Sequence, residues 1–344
     1  MTDRPLTAPA AHVPLGGSGL WVHPFALGGN VFGWTADEKQ SFAVLDAYAE
    51  AGGNFLDTAD VYSAWAPGNT GGESERIIGR WLAARGARDR TVLATKAGWD
   101  SGLSARAIRE CVEASLRRLG TDRIDLFYTH RDDPSVPVEE IVTSLDALVR
   151  AGKVRYLAAS NIGPERLAAS LAYSEREGLA RYVALQPHYN LMERAEYEQR
   201  LAPEIARHAL AVVPYYGLAS GFLSGKYRPD RLTPDGPRAD AARAYLALPR
   251  GRRVLAALDR IAGERGVEAA TVALSWLSAR PHVVAPLASA RRAAQLPALM
   301  ACAGLALETE ELALLDEASS PAANAEEAHC ASSVRRGGAA SRTP

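Results

Sequence analysis

Apolar positions along the chain alternate between two kinds of pattern. Short runs rich in Val, Ile, Leu and aromatic residues are typical of buried strands, and longer stretches carry apolar residues at helical spacing. The strands predicted by the short runs are His23–Gly28, Asn54–Ala59, Thr91–Lys96, Arg123–His130, Val154–Ser160, Tyr182–Gln186, Ala211–Tyr215 and His282–Leu287. The predicted helices are Ala36–Ala51, Glu73–Arg85, Ala105–Leu119, Val138–Ala151, Pro164–Glu177, Glu196–Ala209, Arg252–Arg265, Glu268–Ala279, Ala293–Ala303 and Glu308–Ala318. Several helical stretches are followed by a glycine, which favours a left-handed terminal residue: Gly52, Gly86, Gly120, Gly152 and Gly178.

A strand followed by a helix, about eight times over, predicts parallel strands joined by crossover helices. A closed barrel and an open doubly wound sheet both have this order. The count of eight strands and the spacing of roughly 30 residues per unit favour the barrel. The glycine-rich segments 16–19 and 28–33 miss the G-x-G-x-x-G spacing of an open dinucleotide-binding sheet. We therefore predict an α/β fold, a (β/α)8 TIM barrel with additional C-terminal helices.

The two ends of the chain differ from this repeat. Val13–Val22 is interpreted as a small N-terminal β-hairpin before the first barrel strand. Residues 1–10 are predicted to be flexible, residues 11–319 to form a single barrel domain, and residues 320–344 to be disordered, because the tail is rich in Ala, Ser, Gly and Arg without periodicity.

Composition narrows the class of protein. With 39 basic and 40 acidic residues the net charge is −1, which gives no general attraction to nucleic acid or to an anionic membrane. Residues 1–20 lack the pattern of a signal peptide. No two histidines have metal-ligand spacing on one element, so no metal is predicted. The chain has three cysteines, Cys111, Cys302 and Cys330. They are too few and too scattered for a disulfide framework, which favours a cytoplasmic protein with reduced thiols.

The positive charges are mostly arginine. Thirty-five of the 39 basic residues are Arg, and the lysines are Lys39, Lys96, Lys153 and Lys226. Lys39 falls on a predicted exposed helix face and Lys153 in a turn. Lys96 closes an apolar strand, where an unpaired ammonium group is costly unless a carboxylate faces it.

Four polar residues follow or close three consecutive strands. Because active sites of such barrels collect at the carboxyl ends of the strands, Asp57, Tyr62, Lys96 and His130 are expected to lie together. Asp57 would hold Lys96, whose charge would lower the pKa of Tyr62, and a neutral His130 would orient a carbonyl oxygen. These groups supply a proton donor and an oxyanion site but no hydride, so a cofactor is needed.

Seven motifs in order connect these residues to a known family. They are Gly53–Tyr62, Gly72–Glu75, Thr95–Lys96, Asp125–His130, Ser160–Asn161, Gln186–Leu191 and Pro214–Tyr227. The chain resembles the aldo-keto reductases over residues 13–317. The resemblance implies NAD(P)H-dependent carbonyl reduction on a (β/α)8 barrel, with Asp57, Tyr62, Lys96 and His130 as the catalytic tetrad and Tyr62 as the general acid.

The resemblance also implies a cofactor site. Ser160, Asn161 and Gln186 match the positions that hold the nicotinamide carboxamide, and Tyr215 matches the aromatic residue on which the ring stacks. The loop over the pyrophosphate corresponds to Leu218, Ser220, Gly221 and Lys226, although Lys226 suits a surface role as well. Gly29 and Asn30 are further expected cofactor contacts.

The adenosine end departs from the family pattern. Arg291 and Gln295 match it, but Ser289 replaces a glycine and Leu299 replaces an asparagine. An arginine pairs well with phosphate oxygens, so Arg291 favours NADPH over NADH through the 2′-phosphate.

Four side chains just beyond strand ends are candidate substrate contacts: Phe32, Trp65, Trp99 and Arg131. For each of them a role in packing is equally plausible. Small aldehydes, quinones, keto-sugars and steroid-like ketones are all possible substrates, and nothing in the sequence indicates an oligomeric state.

Asp60 could compete with Asp57 for Lys96, but a loop-capping role is favoured. The alternatives to a reductase are a cofactor-sensing regulatory subunit with little turnover and an unrelated barrel enzyme, such as a lyase or a metal-dependent hydrolase.

Overall fold

A computed structural model describes residues 10–228 and 238–320. The expectations for the first residues, for the C-terminal tail and for Cys330 lie outside these ranges. The predicted hairpin is present, with β1 (Val13–Pro14) pairing antiparallel with β2 (Trp21–Val22).

The barrel strands follow one another in space in chain order. They are β3 (Ala26–Gly28), β4 (Phe55–Asp57), β5 (Val92–Ala97), β6 (Ile124–Thr129), β7 (Val154–Ser160), β8 (Tyr182–Gln186), β9 (Ala211–Val212) and β10 (Leu287–Ala288). All neighbours are parallel, and β10 pairs with β3. Backbone hydrogen bonds from Val212 to His282 (2.8 Å) and from Leu287 to Pro214 (3.0 Å) join the last two strands and close the ring. The predicted (β/α)8 barrel is confirmed.

Eleven α-helices lie in the part of the chain that the structure describes. They are α1 (Glu38–Glu50), α2 (Glu73–Arg85), α3 (Ala105–Leu119), α4 (Val138–Arg150), α5 (Pro164–Glu177), α6 (Ala202–His208), α7 (Ala239–Ala247), α8 (Pro249–Arg265), α9 (Ala269–Ser278), α10 (Leu296–Met300) and α11 (Thr309–Ser319). The predicted terminal glycines all have positive φ, between 51° and 88°. None of the described helices is both long enough and apolar enough to cross a bilayer.

Strand alternation divides the core into two layers. Phe55, Val92 and Leu126 belong to a cluster inside the barrel, whereas Leu56 and Leu93 pack outward against the helices. Hairpin residues join the inner cluster, so the hairpin covers the amino-terminal end of the barrel. The carboxyl ends of the strands are therefore left to form the site.

Prolines explain three boundaries that the sequence analysis placed wrongly. Pro286 interrupts the predicted last strand, because it has no N–H for the sheet, and the regular strand begins at Leu287. Pro203 lies in the first turn of α6, and the predicted helix starts instead with a π-helical stretch, Tyr197–Leu201. Pro297 lies in the first turn of α10, and two 3-10 turns flank that helix where one continuous helix was predicted. Helix α7 was missed.

Candidate active site

The four predicted catalytic residues meet at the open end of the barrel. Inward-facing positions alternate along each strand, and Val92 and Ala94 point into the barrel, so Lys96 on the same strand does too. Asp57 closes β4, and His130 comes directly after β6. Tyr62 lies on the loop after β4, five residues beyond Asp57. Three neighbouring strands thus supply the cluster.

Lys96 is the centre of this cluster. Its Nζ donates to Asp57 Oδ1 (2.5 Å), to Tyr62 Oη (2.9 Å) and to the backbone oxygen of Thr58 (3.0 Å). Lys96 and Asp57 are both fully buried, and Gln186 Nε2 donates to the second carboxylate oxygen of Asp57 (2.9 Å). Burial lowers the pKa of Lys96, and the Asp57 carboxylate opposes that shift. All three ammonium protons therefore have acceptors, as a buried charge requires.

The electrostatics of Tyr62 differ from the sequence-based expectation. Lys96 was expected to lower the pKa of Tyr62. Instead, burial and then the negative charge of Asp57 raise the pKa of Tyr62 well above its usual value. Tyr62 therefore keeps its proton at neutral pH, and its hydroxyl donates to Asp57 Oδ1 (3.3 Å). The ammonium group of Lys96 is positioned to stabilise the negative charge that appears on the phenol oxygen once the proton has left.

His130 lies beside Tyr62, with 6.0 Å between the ring centroids. Burial, together with the charges of Lys96 and Arg131, lowers the pKa of His130 well below its usual value. The ring is therefore neutral at physiological pH, and its buried Nδ1 has no hydrogen-bond partner among the described residues. A neutral imidazole with an uncommitted nitrogen suits an interaction with a bound polar group.

The predicted nicotinamide-holding residues form one connected group. Asn161 Nδ2 donates to the His130 backbone oxygen (2.8 Å) and to Ser160 Oγ (3.0 Å). Ser160 Oγ donates to the Gln186 backbone oxygen (2.8 Å), and Tyr215 Oη donates to Asn161 Oδ1 (2.8 Å). Asn161 also has a φ of 47°, a left-handed conformation that its hydrogen bonds offset. Strands β6 to β9 thus deliver these groups to one side of the tetrad.

The loop after β9 has an unusual run of left-handed residues. Ala219, Ser220 and Gly221 have φ values of 46°, 58° and 90°, and they lie in the 3-10 segment Ala219–Ser224, which Leu218 precedes. A side chain at Gly221 would approach Lys226 Nζ to 3.2 Å. The N–H groups of Ala219 and Gly221 donate to the backbone oxygens of Tyr216 (2.7 Å) and Leu218 (2.8 Å), and these bonds hold the backbone in this conformation.

A cluster of positive charge lies beside this loop, and one of its members was missed. Burial lowers the pKa of Lys226, and the neighbouring charges of Arg291 and Arg238 lower it further. Arg238 directly follows an undescribed stretch, 229–237, and no strand-end position pointed to it. Three cations gathered beside one loop suit a phosphate group.

The remaining predicted cofactor contacts have structural roles in the chain itself. Ser289 Oγ donates to Asn30 Oδ1, and Gln295 Oε1 accepts from the backbone N–H of Arg291 (2.9 Å). Gly29 allows close packing, because a Cβ there would lie 2.6 Å from Ser74 Oγ. Their contacts with a cofactor stay predictions.

The predicted substrate residues separate into two groups. Trp65, Trp99 and Arg131 lie around Tyr62 and His130, with Trp65 6.2 Å from the Tyr62 ring and Trp99 4.9 Å from the His130 ring. Phe32 is only 1% exposed and packs in the outer core, which agrees with the packing role considered for it. A substrate contact at Phe32 stays a prediction. The sequence did not point to two further aromatic residues at the site. Trp34 packs against Trp65, and Tyr216 packs against Tyr215.

Asp60 does not bind Lys96. Its Oδ1 is buried without a hydrogen-bond partner among the described residues. Burial, reinforced by the negative charge of Glu75, raises the pKa of Asp60 to about 7. Glu75 is itself fully buried and is paired with Arg118 (2.5 Å). Asp60 is therefore a buried carboxyl group that resists ionisation.

Replacing Asp60 by asparagine is expected to stabilise the protein above pH 7. The unfolded chain releases the Asp60 proton near pH 3.8, whereas the folded chain holds it to about pH 7. The unfolded state therefore binds fewer protons in this window, and the free energy of unfolding falls as pH rises through it, by at most about 4 kcal/mol. Urea unfolding of Asp60→Asn at pH 4.5, 6 and 8 should show a flatter profile.

Asp122→Asn is the matched control, since the Asp122 side chain is 87% exposed. If Asp60→Asn and the unchanged protein lose stability equally between pH 4.5 and 8, the assignment of Asp60 as a titrating buried group is wrong.

No group of three or more His, Cys, Asp or Glu side chains within residues 10–228 and 238–320 is arranged to hold a metal ion. Cys302 is buried and Cys111 is partly buried, and both are free thiols on helical turns.

Comparison with known proteins agrees with this geometry. A sequence profile described as "Aldo/keto reductase family" matches residues 24–320. The chain is 35% identical over 315 residues to the "Uncharacterized oxidoreductase YrpG" of Bacillus subtilis, covering 88% of this chain and 94% of that protein. It is 32% identical to the "Norsolorinic acid reductase stcV" of Emericella nidulans, covering 86% and 78% of the two chains. It is 31% identical to a "Probable voltage-gated potassium channel subunit beta" of Arabidopsis thaliana, covering 82% and 88%.

Proposed function

The chain belongs to the aldo/keto reductase family, and we propose that it reduces an aldehyde or ketone to an alcohol with NADPH, with Tyr62 as the proton donor. Membership of the family supports carbonyl oxidoreduction in general. The observation that carries the finer proposal is the contact of the buried Lys96 ammonium with both Asp57 and Tyr62. This arrangement has a proton on the phenol and a cation ready to stabilise the phenolate.

Each residue of the cluster has a defined part in the reaction. NADPH, when bound, supplies the hydride that the carbonyl carbon receives. His130 donates a hydrogen bond from its neutral ring and orients the carbonyl oxygen. Tyr62 gives its proton to that oxygen as negative charge develops there, Lys96 stabilises the resulting phenolate, and Asp57 holds Lys96. The Tyr62 phenolate then regains a proton from solvent, which restores the acid for the next reduction.

The residues around the tetrad fit a nicotinamide cofactor. Asn161 bonds to both the Tyr215 hydroxyl and Ser160 Oγ, and the Tyr215 ring is partly exposed. An aromatic ring next to amide donors and acceptors suits a nicotinamide and its carboxamide. The turn of left-handed residues at 219–221 is where the resemblance to the family expects the pyrophosphate.

The cation cluster of Lys226, Arg238 and Arg291 supports NADPH over NADH. The 2′-phosphate is the group that distinguishes the two cofactors, and guanidinium groups pair with phosphate oxygens in a bidentate manner.

Replacing Arg291 by alanine is expected to weaken NADPH binding by about 10-fold or more and to leave NADH binding within about twofold, because a charge-assisted hydrogen bond to phosphate is worth about 1.5–3 kcal/mol. Titration of the intrinsic tryptophan fluorescence with each cofactor measures both affinities. Arg260→Ala is the control, since Arg260 pairs with Glu264 on the surface of α8. An unchanged ratio of NADPH to NADH affinity in Arg291→Ala would contradict the proposal.

A panel of aldehydes and ketones tests the proposed activity. We expect carbonyl-dependent loss of the nicotinamide absorbance that does not change when a chelator is added. A reaction that depends on a divalent metal and consumes no NADPH would instead favour the unrelated barrel enzyme.

A second candidate is a cofactor-sensing regulatory subunit, which is favoured by the relatives named as potassium channel β-subunits. The two functions differ in turnover: a regulatory subunit binds NADPH tightly but consumes it slowly with every carbonyl compound tested.

A cytoplasmic location is part of the proposal.

A further inference from the structure

Helix α2 begins with two polar side chains that are fully buried. Ser74 and Glu75 belong to Gly72–Glu75, one of the motifs that carry the resemblance to the family. Glu75 Oε2 accepts from Arg118 Nε (2.5 Å), and Oε1 accepts from the hydroxyl of Thr95 (2.7 Å). A buried carboxylate is costly unless such partners satisfy it. These bonds therefore hold the Glu75 side chain in one place, outside the tetrad but in contact with its surroundings.

Thr95 connects Glu75 to the tetrad along strand β5. Thr95 immediately precedes Lys96, and it shares the outward face of the strand with Leu93, whereas Lys96 points into the barrel. The backbone oxygen of Lys96 accepts from the N–H of Asp60 (3.0 Å), which ties the same strand end to the loop after β4. Glu75 thus holds β5 from outside the barrel, one residue before the side chain that carries the ammonium group.

Ser74 reaches Lys96 by a second route. Its Oγ accepts from the hydroxyl of Thr58 (2.8 Å) and donates to the backbone oxygen of Gly29 (2.8 Å). The backbone oxygen of Thr58 is one of the three acceptors of the Lys96 ammonium group (3.0 Å). Thr58 and Ser74 are both fully buried, so bulk water does not compete for these bonds. Two neighbouring residues of α2 thus hold two separate parts of the Lys96 environment.

Two glycines let α2 approach α3 closely enough for the network to form. A Cβ at Gly72 would clash with Arg118 Cδ, and a Cβ at Gly79 would lie 2.7 Å from the backbone oxygen of Arg118. Gly72 also has a φ of 79°, which residues with side chains rarely adopt. Arg118 can therefore reach Glu75 while its Nη2 donates to Ser115 Oγ (3.1 Å).

We propose that Glu75 and Ser74 are positioning residues, which fix the Lys96 ammonium group where it can stabilise the phenolate of the proton donor. They act through Thr95 and Thr58, because both side chains are fully buried and have no access to a substrate. This role rests on the proposed carbonyl reductase function. A displacement of about 1 Å in a reacting group can lower a rate by about 100-fold, so contacts outside the barrel can control the proton transfer.

Thr95→Val tests the route from Glu75 to β5. Valine keeps the β-branched shape and removes the hydroxyl that donates to Glu75. We expect kcat with NADPH to fall by about 10- to 100-fold, while KM for the carbonyl compound and the affinity for NADPH stay within about twofold. The solvent deuterium isotope effect on kcat should rise, because a misplaced Lys96 slows the proton transfer itself. Thr95→Ser keeps the hydroxyl and should retain at least about half of kcat.

Thr91→Val is the matched control for Thr95→Val. Thr91 directly precedes the same strand at its amino end, is buried, and donates from its hydroxyl to the backbone oxygen of Ala87 (2.9 Å). The same chemical change is thus made far along β5 from Lys96. Melting temperatures measure the stability lost in each variant, and we expect Thr91→Val to leave both kcat and the isotope effect unchanged.

Ser74→Ala and Glu75→Asp test the two positioning residues directly. Ser74→Ala removes the acceptor of the Thr58 hydroxyl, and kcat should fall while KM stays unchanged. Glu75→Asp keeps the carboxylate but is one methylene shorter, so it cannot reach both Thr95 and Arg118, and kcat should fall in the same way. If a Glu75 variant fails to fold, the Thr95 and Ser74 variants decide the question.

The positioning role and the proposed function fail in different ways. The positioning role is wrong if the unchanged protein reduces carbonyl compounds and both Thr95→Val and Ser74→Ala keep its kcat. It is also wrong if kcat falls equally in Thr95→Val and Thr91→Val, or falls without a rise in the isotope effect. If the unchanged protein consumes no NADPH with any carbonyl compound, the proposed reduction is wrong, and the role of Glu75 and Ser74 is wrong with it.

Discussion

Tyr62→Phe is expected to lower kcat for carbonyl reduction by about 10²–10⁴-fold, which is the usual contribution of a positioned general acid. Phenylalanine keeps the ring that packs against Trp65 and His130 and removes only the hydroxyl group. NADPH affinity should stay within about twofold, because the predicted cofactor contacts lie on other strands. Steady-state kinetics and fluorescence titration measure the two quantities separately.

Tyr173→Phe is the control for this experiment, since Tyr173 lies on α5, away from the site. The pKa of Tyr62, raised by burial and by Asp57, means that the phenol is protonated throughout the neutral range. We therefore expect no loss of the acid form of Tyr62 below pH 9. A Tyr62→Phe enzyme that turns over at the unchanged rate would remove Tyr62 from the role of proton donor.

Lys96→Arg is expected to lower kcat/KM by at least about 100-fold, although arginine is this chain's usual cation. The ammonium group fits among three acceptors at 2.5 to 3.0 Å inside a fully buried site. A guanidinium group is larger and planar, so it cannot occupy that point without displacing Asp57 or Tyr62, and such overpacking costs about 1–3 kcal/mol of stability. Kinetics and urea unfolding measure both effects.

Lys96→Met provides the complementary case. It leaves the buried Asp57 carboxylate without its cation, and we expect a loss of about 3–5 kcal/mol in the free energy of unfolding. Lys153→Arg is the control, because Lys153 pairs with Glu113 near the surface and an arginine can make the same pair. A Lys96→Arg enzyme with more than a third of the original activity would show that charge alone is sufficient at this position.

The strand order and the tetrad were predictable for one physical reason. In a parallel barrel the strand ends converge, so polar residues that close apolar runs, such as Asp57, Lys96 and His130, must meet. The course of the loops and the pKa shifts inside the site do not follow from the local pattern of apolar and polar residues. Trp34, Tyr216 and Arg238 lie beyond strand ends, where distant contacts decide which residues face each other. The direction of the Tyr62 pKa shift was mispredicted because burial and the negative charge of Asp57 both raise that pKa.

The four lysines lie in four different environments, so acylation of each amine by a reagent has a distinct meaning. Lys39 is exposed on α1, and Lys153 is engaged by Glu113. Lys226 is exposed near Arg291 and Arg238, and its lowered pKa leaves more of its amine in the nucleophilic form. Lys96 is sealed inside the barrel. We expect acylation of Lys96 to require an opening of the barrel. If NADPH binds as proposed, it should protect Lys226 from acylation, and that protection would report occupancy of the cation cluster.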